Sequence, residues 1–138
     1  MNKDNNGFTL IELVATIALL GLIAIISFVS ITGVLKESKV KDCENLVISI
    51  KNAAKEYASD NRYNSTFDSD GDKKEEITGR NLVTENYLVN SIINPFDSTT
   101  DITDNVKIEI SLTNDYSVSS VIVKNSSNEQ INCDSNAW

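Results

Sequence analysis

The chain has 138 residues, enough for one small domain with an appended segment. Twenty acidic and twelve basic residues give a net charge of -8, which repels a phosphate backbone and argues against direct nucleic-acid binding. The chain contains no histidine, which excludes the usual general base, the usual zinc ligand and the histidine-dependent catalytic triads. We therefore predict no enzymatic activity and no cofactor.

The N-terminal part of the chain contains an apolar segment that predicts a membrane-spanning helix. No formally charged residue occurs among the 23 positions from Leu13 to Leu35. A helix of that length is about 34 Å long, which is enough for a hydrocarbon core of about 30 Å. A cleaved secretory signal peptide is the alternative, but no small-residue cleavage site of the A-x-A type follows the segment.

The residues before this segment carry a motif, Gly7-Phe8-Thr9-Leu10-Ile11-Glu12-Leu13, which follows a short hydrophilic leader. The motif resembles the processing signature of type IV pilins and pseudopilins, in which Gly precedes a large apolar residue and an acid stands at the start of the apolar run. The resemblance implies that a prepilin peptidase cleaves between Gly7 and Phe8 on the cytoplasmic side and N-methylates Phe8. It divides the chain into a leader (1–7), a transmembrane and filament-core helix (8–35) and a globular head (36–138).

Glu12 is a lone carboxylate at the start of the apolar segment. A charged side chain in a membrane helix costs about 2.5 to 3.5 kcal/mol on insertion scales, so a neutralising partner is favoured. The amine of mature Phe8 is cationic near neutral pH, and within one helix it lies about 6 Å from Glu12 along the axis. A neighbouring subunit staggered along that axis can supply its own amine, and the resemblance implies that Glu12 guides assembly. The alternative is an interfacial carboxylate at the helix end.

A one-sided apolar pattern follows the apolar segment and predicts an amphipathic helix. Apolar residues recur at three- and four-residue steps, while charged residues occupy the opposite face. Nothing between Lys36 and Ala58 breaks a helix, so we expect one helix that continues from the apolar segment to near Asn61. Its predicted apolar face comprises Val40, Cys43, Leu46, Val47, Ile50, Ala53, Ala54, Tyr57 and Ala58.

The stretch NSTFDSDGDKKEE is polar and acidic, and we expect it to form an exposed loop. Asp68, Asp70 and Asp72 have the spacing of the first three ligands of a calcium-binding EF-hand loop. The sixth and twelfth positions, however, carry Lys73 and Gly79 instead of Gly and Glu. The pattern favours a solvated acidic loop over bound calcium, and no metal ligand is assigned.

The rest of the head is predicted to be a short helix and an antiparallel β-meander. The helix is expected at Asn81–Val89, with an extended segment and a turn at Asn94-Pro95 after it. Strands are expected at Asn105–Thr113, Tyr116–Lys124 and Glu129–Cys133. The first strand places on one face Val106, Ile108, Ile110 and Leu112. Because this face can pack on the amphipathic helix, we predict an α+β fold that resembles the pilin head.

Two cysteines lie far apart, Cys43 on the predicted helix and Cys133 near the C-terminus. If the head is extracytoplasmic, an oxidising compartment favours a disulfide between them, and two buried free thiols are the alternative. Such a bond would close a loop of about ninety residues and stabilise the head by about 4 to 5 kcal/mol. Trp138, five residues beyond Cys133, is expected to pack against the head.

These features together favour a filament subunit with no chemistry of its own. The resemblance implies other pilin subunits, a prepilin peptidase and the pilus assembly machinery as partners, with a membrane-inserted stage before the surface filament. The acidic loop and the lack of a proline in the apolar segment favour a minor pilin, and the residue usage suggests a Gram-positive bacterium. A pseudopilin of a secretion or DNA-uptake system, or an anchored binding domain that does not polymerise, remains the alternative.

Overall fold

A computed structural model of the chain describes residues 8–64, 66–134 and 138. Its elements are helix α1 (Leu10–Asn61), strand β1 (Lys74–Thr78), helix α2 (Gly79–Thr84), strand β2 (Lys107–Leu112) and strand β3 (Val118–Lys124). The fold is α+β, with a long N-terminal helix followed by a three-stranded antiparallel sheet, which confirms the prediction and is consistent with the pilin fold.

The chain divides into two compact units, Met1–Ser38 and Lys39–Trp138. In the first unit, α1 exposes the large apolar side chains between Leu10 and Leu35 that the structure describes, with exposed fractions from 47% to 83%. Among the described residues, no helix combines the length and the apolar character needed to cross a membrane. The first unit by itself leaves an extensive apolar surface uncovered.

The second unit is built on the C-terminal half of α1. The predicted apolar face of this helix is confirmed except at Val40, which is partly buried but outside the hydrophobic cluster that contains the other members. The same cluster contains Ile77 of β1, Leu82 of α2 and the inward side chains of β2 and β3. The helix residues in the cluster are Cys43, Leu46, Val47, Ile50, Ala53, Ala54, Tyr57 and Ala58.

Strand β2 is the centre of the sheet and pairs antiparallel with β1 on one side and β3 on the other. The predicted alternation along it is confirmed, because Ile108, Ile110 and Leu112 are buried while the residues between them are half-buried. The β2–β3 hairpin closes where the Thr113 amide donates to the Ser117 carbonyl at 2.8 Å. The turn therefore forms at the predicted position.

Strand β1 was predicted as part of the acidic loop, and this prediction was wrong. Only Ile77 of β1 is buried, so the sequence of this strand lacks the apolar alternation that would have predicted it. It forms because its backbone pairs with β2 from Lys74 opposite Ser111 to Thr78 opposite Lys107. A charged sequence is typical of an edge strand, since charges discourage pairing with another chain.

The predicted third strand at Glu129–Cys133 is not formed. This segment makes an isolated bridge between Gln130 and Lys124 and two backbone hydrogen bonds, from the Ile131 amide to the Val123 carbonyl at 3.0 Å and from the Asn125 amide to the Glu129 carbonyl at 2.9 Å. Cys133 is bonded to Cys43 on α1, so the chain must leave the sheet edge and turn toward the helix. The tertiary cross-link therefore ends the pairing.

Helix α2 is shorter than the predicted helix because a backbone cap ends it. Asn86 has a φ of 65°, and its amide donates to the Val83 carbonyl at 3.2 Å while the Tyr87 amide donates to the Leu82 carbonyl at 2.8 Å. This is the Schellman arrangement, in which a residue in the left-handed region terminates a helix. The turn after it forms as predicted, with the Ser98 amide donating to the Asn94 carbonyl at 2.8 Å.

Candidate processing and assembly segment

The candidate functional segment is the start of α1, where Thr9 and Glu12 cap the helix reciprocally. The Thr9 amide donates to Oε2 of Glu12 at 2.9 Å, and the Thr9 hydroxyl donates to the same oxygen at 2.7 Å. In return, the Glu12 amide donates to the Thr9 hydroxyl oxygen at 3.4 Å. This capping box satisfies backbone donors that the first turn leaves without helical partners. The apolar helix therefore begins at a defined residue.

Thr9 was not predicted to have a role. A signal for it was present, because Thr9-Leu10-Ile11-Glu12 matches the S/T-x-x-E pattern of a capping box before an apolar run. The structure consequently gives Glu12 a second role beside the predicted one. Its carboxylate closes the first turn of its own helix.

The cap leaves part of the Glu12 carboxylate available. Both bonds from Thr9 go to Oε2, and no donor in the described part of the chain reaches Oε1. The side chain is exposed. A carboxylate can accept about four hydrogen bonds, so capping and contact with a cation from outside the chain are compatible.

The other residues of the predicted processing site lie just before the helix. Phe8 precedes α1 by two residues, and 84% of its surface is exposed. Gly7, the predicted residue on the leader side of the cut, lies outside the described residues. Cleavage and methylation at this junction stay predictions.

The predicted disulfide between Cys43 and Cys133 is confirmed. The two Sγ atoms are bonded at 1.98 Å, and the Cα separation of 5.7 Å lies within the usual range for a disulfide. Cys43 is fully buried in the core of the second unit. The bond joins the C-terminal segment to α1, and partly buried Trp138 packs against the same core, as expected.

The acidic loop is more ordered than predicted, because one of its aspartates is buried. The Asp68 side chain is 0% exposed. It accepts a hydrogen bond from the Lys73 amide at 2.9 Å and forms an ion pair with Nζ of Lys73 at 3.4 Å. The prediction of a fully solvated loop was therefore wrong for this residue. Ligand oxygens of Asp68, Asp70 and Asp72 lie within 4.8 Å of one another, but all three carboxylates also accept hydrogen bonds within the loop.

Lys73 also contacts Tyr116 in the hairpin turn. Its Nζ lies 3.4 Å from the centre of the Tyr116 ring. Hydrogen bonding to Tyr116, together with the Asp68 carboxylate, raises the pKa of Lys73. The Lys73 side chain therefore connects the acidic loop with the β2–β3 hairpin through its contacts with Asp68 and Tyr116.

Comparison with known proteins gives one match, at the N-terminus. Residues 2–28 match the model of the prokaryotic N-terminal methylation motif. No curated protein sequence and no solved structure matches the chain significantly. The matched family is structural, and the motif supports a precursor of the pilin or pseudopilin type. Together with the α+β fold and the capped apolar helix, the match shows that this chain carries the class III signal of type IV pilins.

Proposed function

We propose that the chain is a structural subunit of a type IV pilus or a pilus-like filament, and that it is a minor subunit. A prepilin peptidase removes residues 1–7 and N-methylates Phe8, and the subunit is then assembled through the N-terminal part of α1. Before assembly this part of α1 holds the subunit in the cytoplasmic membrane with the head outside. After assembly the head lies on a cell-surface filament.

The observation that carries the proposal is the exposed apolar helix that begins two residues after the predicted cut. Its described large apolar side chains are exposed in the first unit, and its start coincides with the matched motif. Apolar surface of this extent marks a region that is covered by a membrane or by other subunits. Packing of several such helices would bury it.

The position of the Glu12 carboxylate supports a role in fixing the stagger between neighbouring subunits. Oε2 is engaged by Thr9, which orients the carboxylate and leaves Oε1 to accept from the Phe8 amine of a neighbour. In a helical bundle with a low dielectric constant, an unpaired carboxylate raises the free energy of the assembly, and a cationic partner offsets this cost. The correct stagger between neighbours is therefore the one that brings the amine to this oxygen.

Processing is tested by the intact mass of the protein purified from cells with and without a prepilin peptidase. We expect a chain that begins at methylated Phe8 in the first case and the full chain from Met1 in the second. N-terminal sequencing places the cut. An uncleaved chain in cells that make normal filaments would contradict the proposal and favour an anchored head that does not polymerise.

Assembly is tested by Glu12→Gln, with Thr9→Ala as the matched control. A Gln at this position can still complete the capping box, so only the charge is lost, and we expect filament yield to fall by about tenfold or more. Thr9→Ala removes the cap, at a cost of about 1 kcal/mol in helix stability, but keeps the carboxylate and should still assemble. Filament mass in sheared cell-surface fractions measures both. If Glu12→Gln assembles normally while Thr9→Ala does not, Glu12 serves only as a cap.

A further inference from the structure

A groove of about 230 Å³ in the second unit lies between the end of α1 and the β2–β3 turn. The described residues that line it supply two cations and three hydroxyl groups, and none of them carries a carboxylate. The residues are Lys55, Ser59, Arg62, Tyr116, Ser117 and Val118. This composition is unexpected in a chain with a net charge of -8.

The helix side of the groove is positively charged because of the residue spacing on α1. Lys55, Ser59 and Arg62 are separated by four and three residues, which places them on one face of the helix. The neighbouring acidic residues of α1 interact with Tyr87 instead. The Tyr87 hydroxyl donates to Asp60 at 3.1 Å. Burial and Asp60 raise the pKa of Tyr87, and the charge of Glu56 contributes to the same shift. The acids and the two cations are therefore directed to different surfaces.

The two cations have no acidic partners among the described residues. In the ranges 8–64 and 66–134, no carboxylate forms an ion pair with Lys55 or Arg62. Arg62 packs its guanidinium over the Tyr63 ring at 5.1 Å, while its Nε is buried and donates to no described group. A buried donor without an acceptor is unfavourable, and because this nitrogen is buried, a ligand in the groove would pair with the terminal nitrogens of the Arg62 guanidinium, which donate to no described residue.

The β2–β3 hairpin adds positive charge on the other side of the groove. Lys73 lies on Tyr116, which adds a third cation next to the groove, although Asp68 partly neutralises it. The nearest turn acid, Asp115, accepts hydrogen bonds from Thr113 and Ser117. These bonds lower the pKa of Asp115 and engage its carboxylate within the turn.

We propose that this groove binds an oxyanion, either a carboxylate or a phosphate group, between Lys55 and Arg62. Arginine presents a planar fork of donors that matches both anions, and lysine adds a point charge. The groove is smaller than sites for drug-sized ligands, so it holds one anionic group and not a whole large molecule. The proposal concerns the head alone and does not depend on filament assembly.

The test is titration of the full chain in detergent micelles, followed by NMR through the Arg62 Nε–H signal and the backbone amides of Ser117 and Val118. The probes are inorganic phosphate and glucuronate, with neutral glucose as the control. We expect saturable shifts at these positions with phosphate, glucuronate or both, and none with glucose. The comparison of the two anions assigns the preferred group.

Two variants separate a site from general charge attraction. Lys55→Gln changes an exposed side chain and should weaken binding by about tenfold, as expected for one charge-assisted contact. Lys51→Gln removes the same charge one turn earlier on the helix, outside the groove, so it should weaken binding less than Lys55→Gln does. Arg62→Lys keeps the charge but loses the fork, so it should also weaken binding. Absence of saturable shifts with both anions, or equal losses from Lys51→Gln and Lys55→Gln, would overturn the proposal.

Discussion

Removal of the Cys43–Cys133 disulfide is expected to lower the free energy of unfolding of the head by about 4 to 5 kcal/mol. The bond spans a sequence separation of 90 residues, and the chain-entropy estimate for a loop of this length gives that value. Besides this bond, the C-terminal segment is held by an isolated bridge and a backbone hydrogen bond to β3 and by packing of Ile131 and Trp138 in the core. Typical domains have a net stability of 5 to 15 kcal/mol, so the loss is a large fraction of the total.

The measurement is denaturant unfolding of the full chain in detergent, comparing wild type with the double variant Cys43→Ala/Cys133→Ala. The double variant avoids leaving one reactive thiol. Wild type under reducing conditions should approach the variant, while the variant itself should not respond to the reductant. A double variant within about 1 kcal/mol of wild type, a typical effect of a single substitution, would show that the disulfide is not a main source of stability.

Gly79→Ala is expected to destabilise the head by about 1 to 3 kcal/mol or more, although Ala is the better helix former. Propensity alone predicts a gain of about 1 kcal/mol at a helical glycine. In the structure, however, a Cβ at Gly79 would lie 2.6 Å from Cδ1 of Ile92 and 2.7 Å from the carbonyl oxygen of Thr103. Both neighbours are buried, so the cost is that of overpacking a core.

The clash has two parts that can be separated by a second substitution. Ile92→Val removes the Cδ1 methyl but leaves the backbone oxygen of Thr103, so Gly79→Ala/Ile92→Val should be destabilised less than the sum of its single variants. Gly33→Ala is the control, since no atom lies within 4 Å of a Cβ at that position, and it should not lower stability. Thermal unfolding followed by circular dichroism measures all four. A stabilised Gly79→Ala variant would mean that α2 can shift away from the loop.

The elements that were predicted correctly are those whose signal is local and periodic. The face of α1 repeats at three and four residues, and β2 alternates strictly, so burial of one face follows from the spacing alone. The processing motif is also local, because all its members lie between Gly7 and Leu13. Thr9 belongs with them and could have been identified from the same seven residues.

The elements that were missed depend on partners far away in the chain. Strand β1 has only Ile77 as a buried side chain and exists because β2 provides backbone partners about thirty residues later. Burial of Asp68 is the exception, because its partner Lys73 is only five residues away and what was missed is the fold of the loop itself. The third predicted strand failed for the opposite reason, since the bond from Cys133 to α1 overrides a weak tendency to pair.

The sequence by itself determined where the apolar helix begins, which face of its continuation is buried, and which motif stands at its start, because these properties reside in short stretches of neighbouring residues. Only the tertiary structure decided that a charged segment becomes an edge strand, that an aspartate of the acidic loop is buried, and that Lys55 and Arg62 meet Tyr116 in one groove. The edge strand and the groove arise from backbone pairing and packing between segments that are distant along the chain, where neither spacing nor composition carries a signal, whereas Asp68 is buried by the fold of its own loop around Lys73.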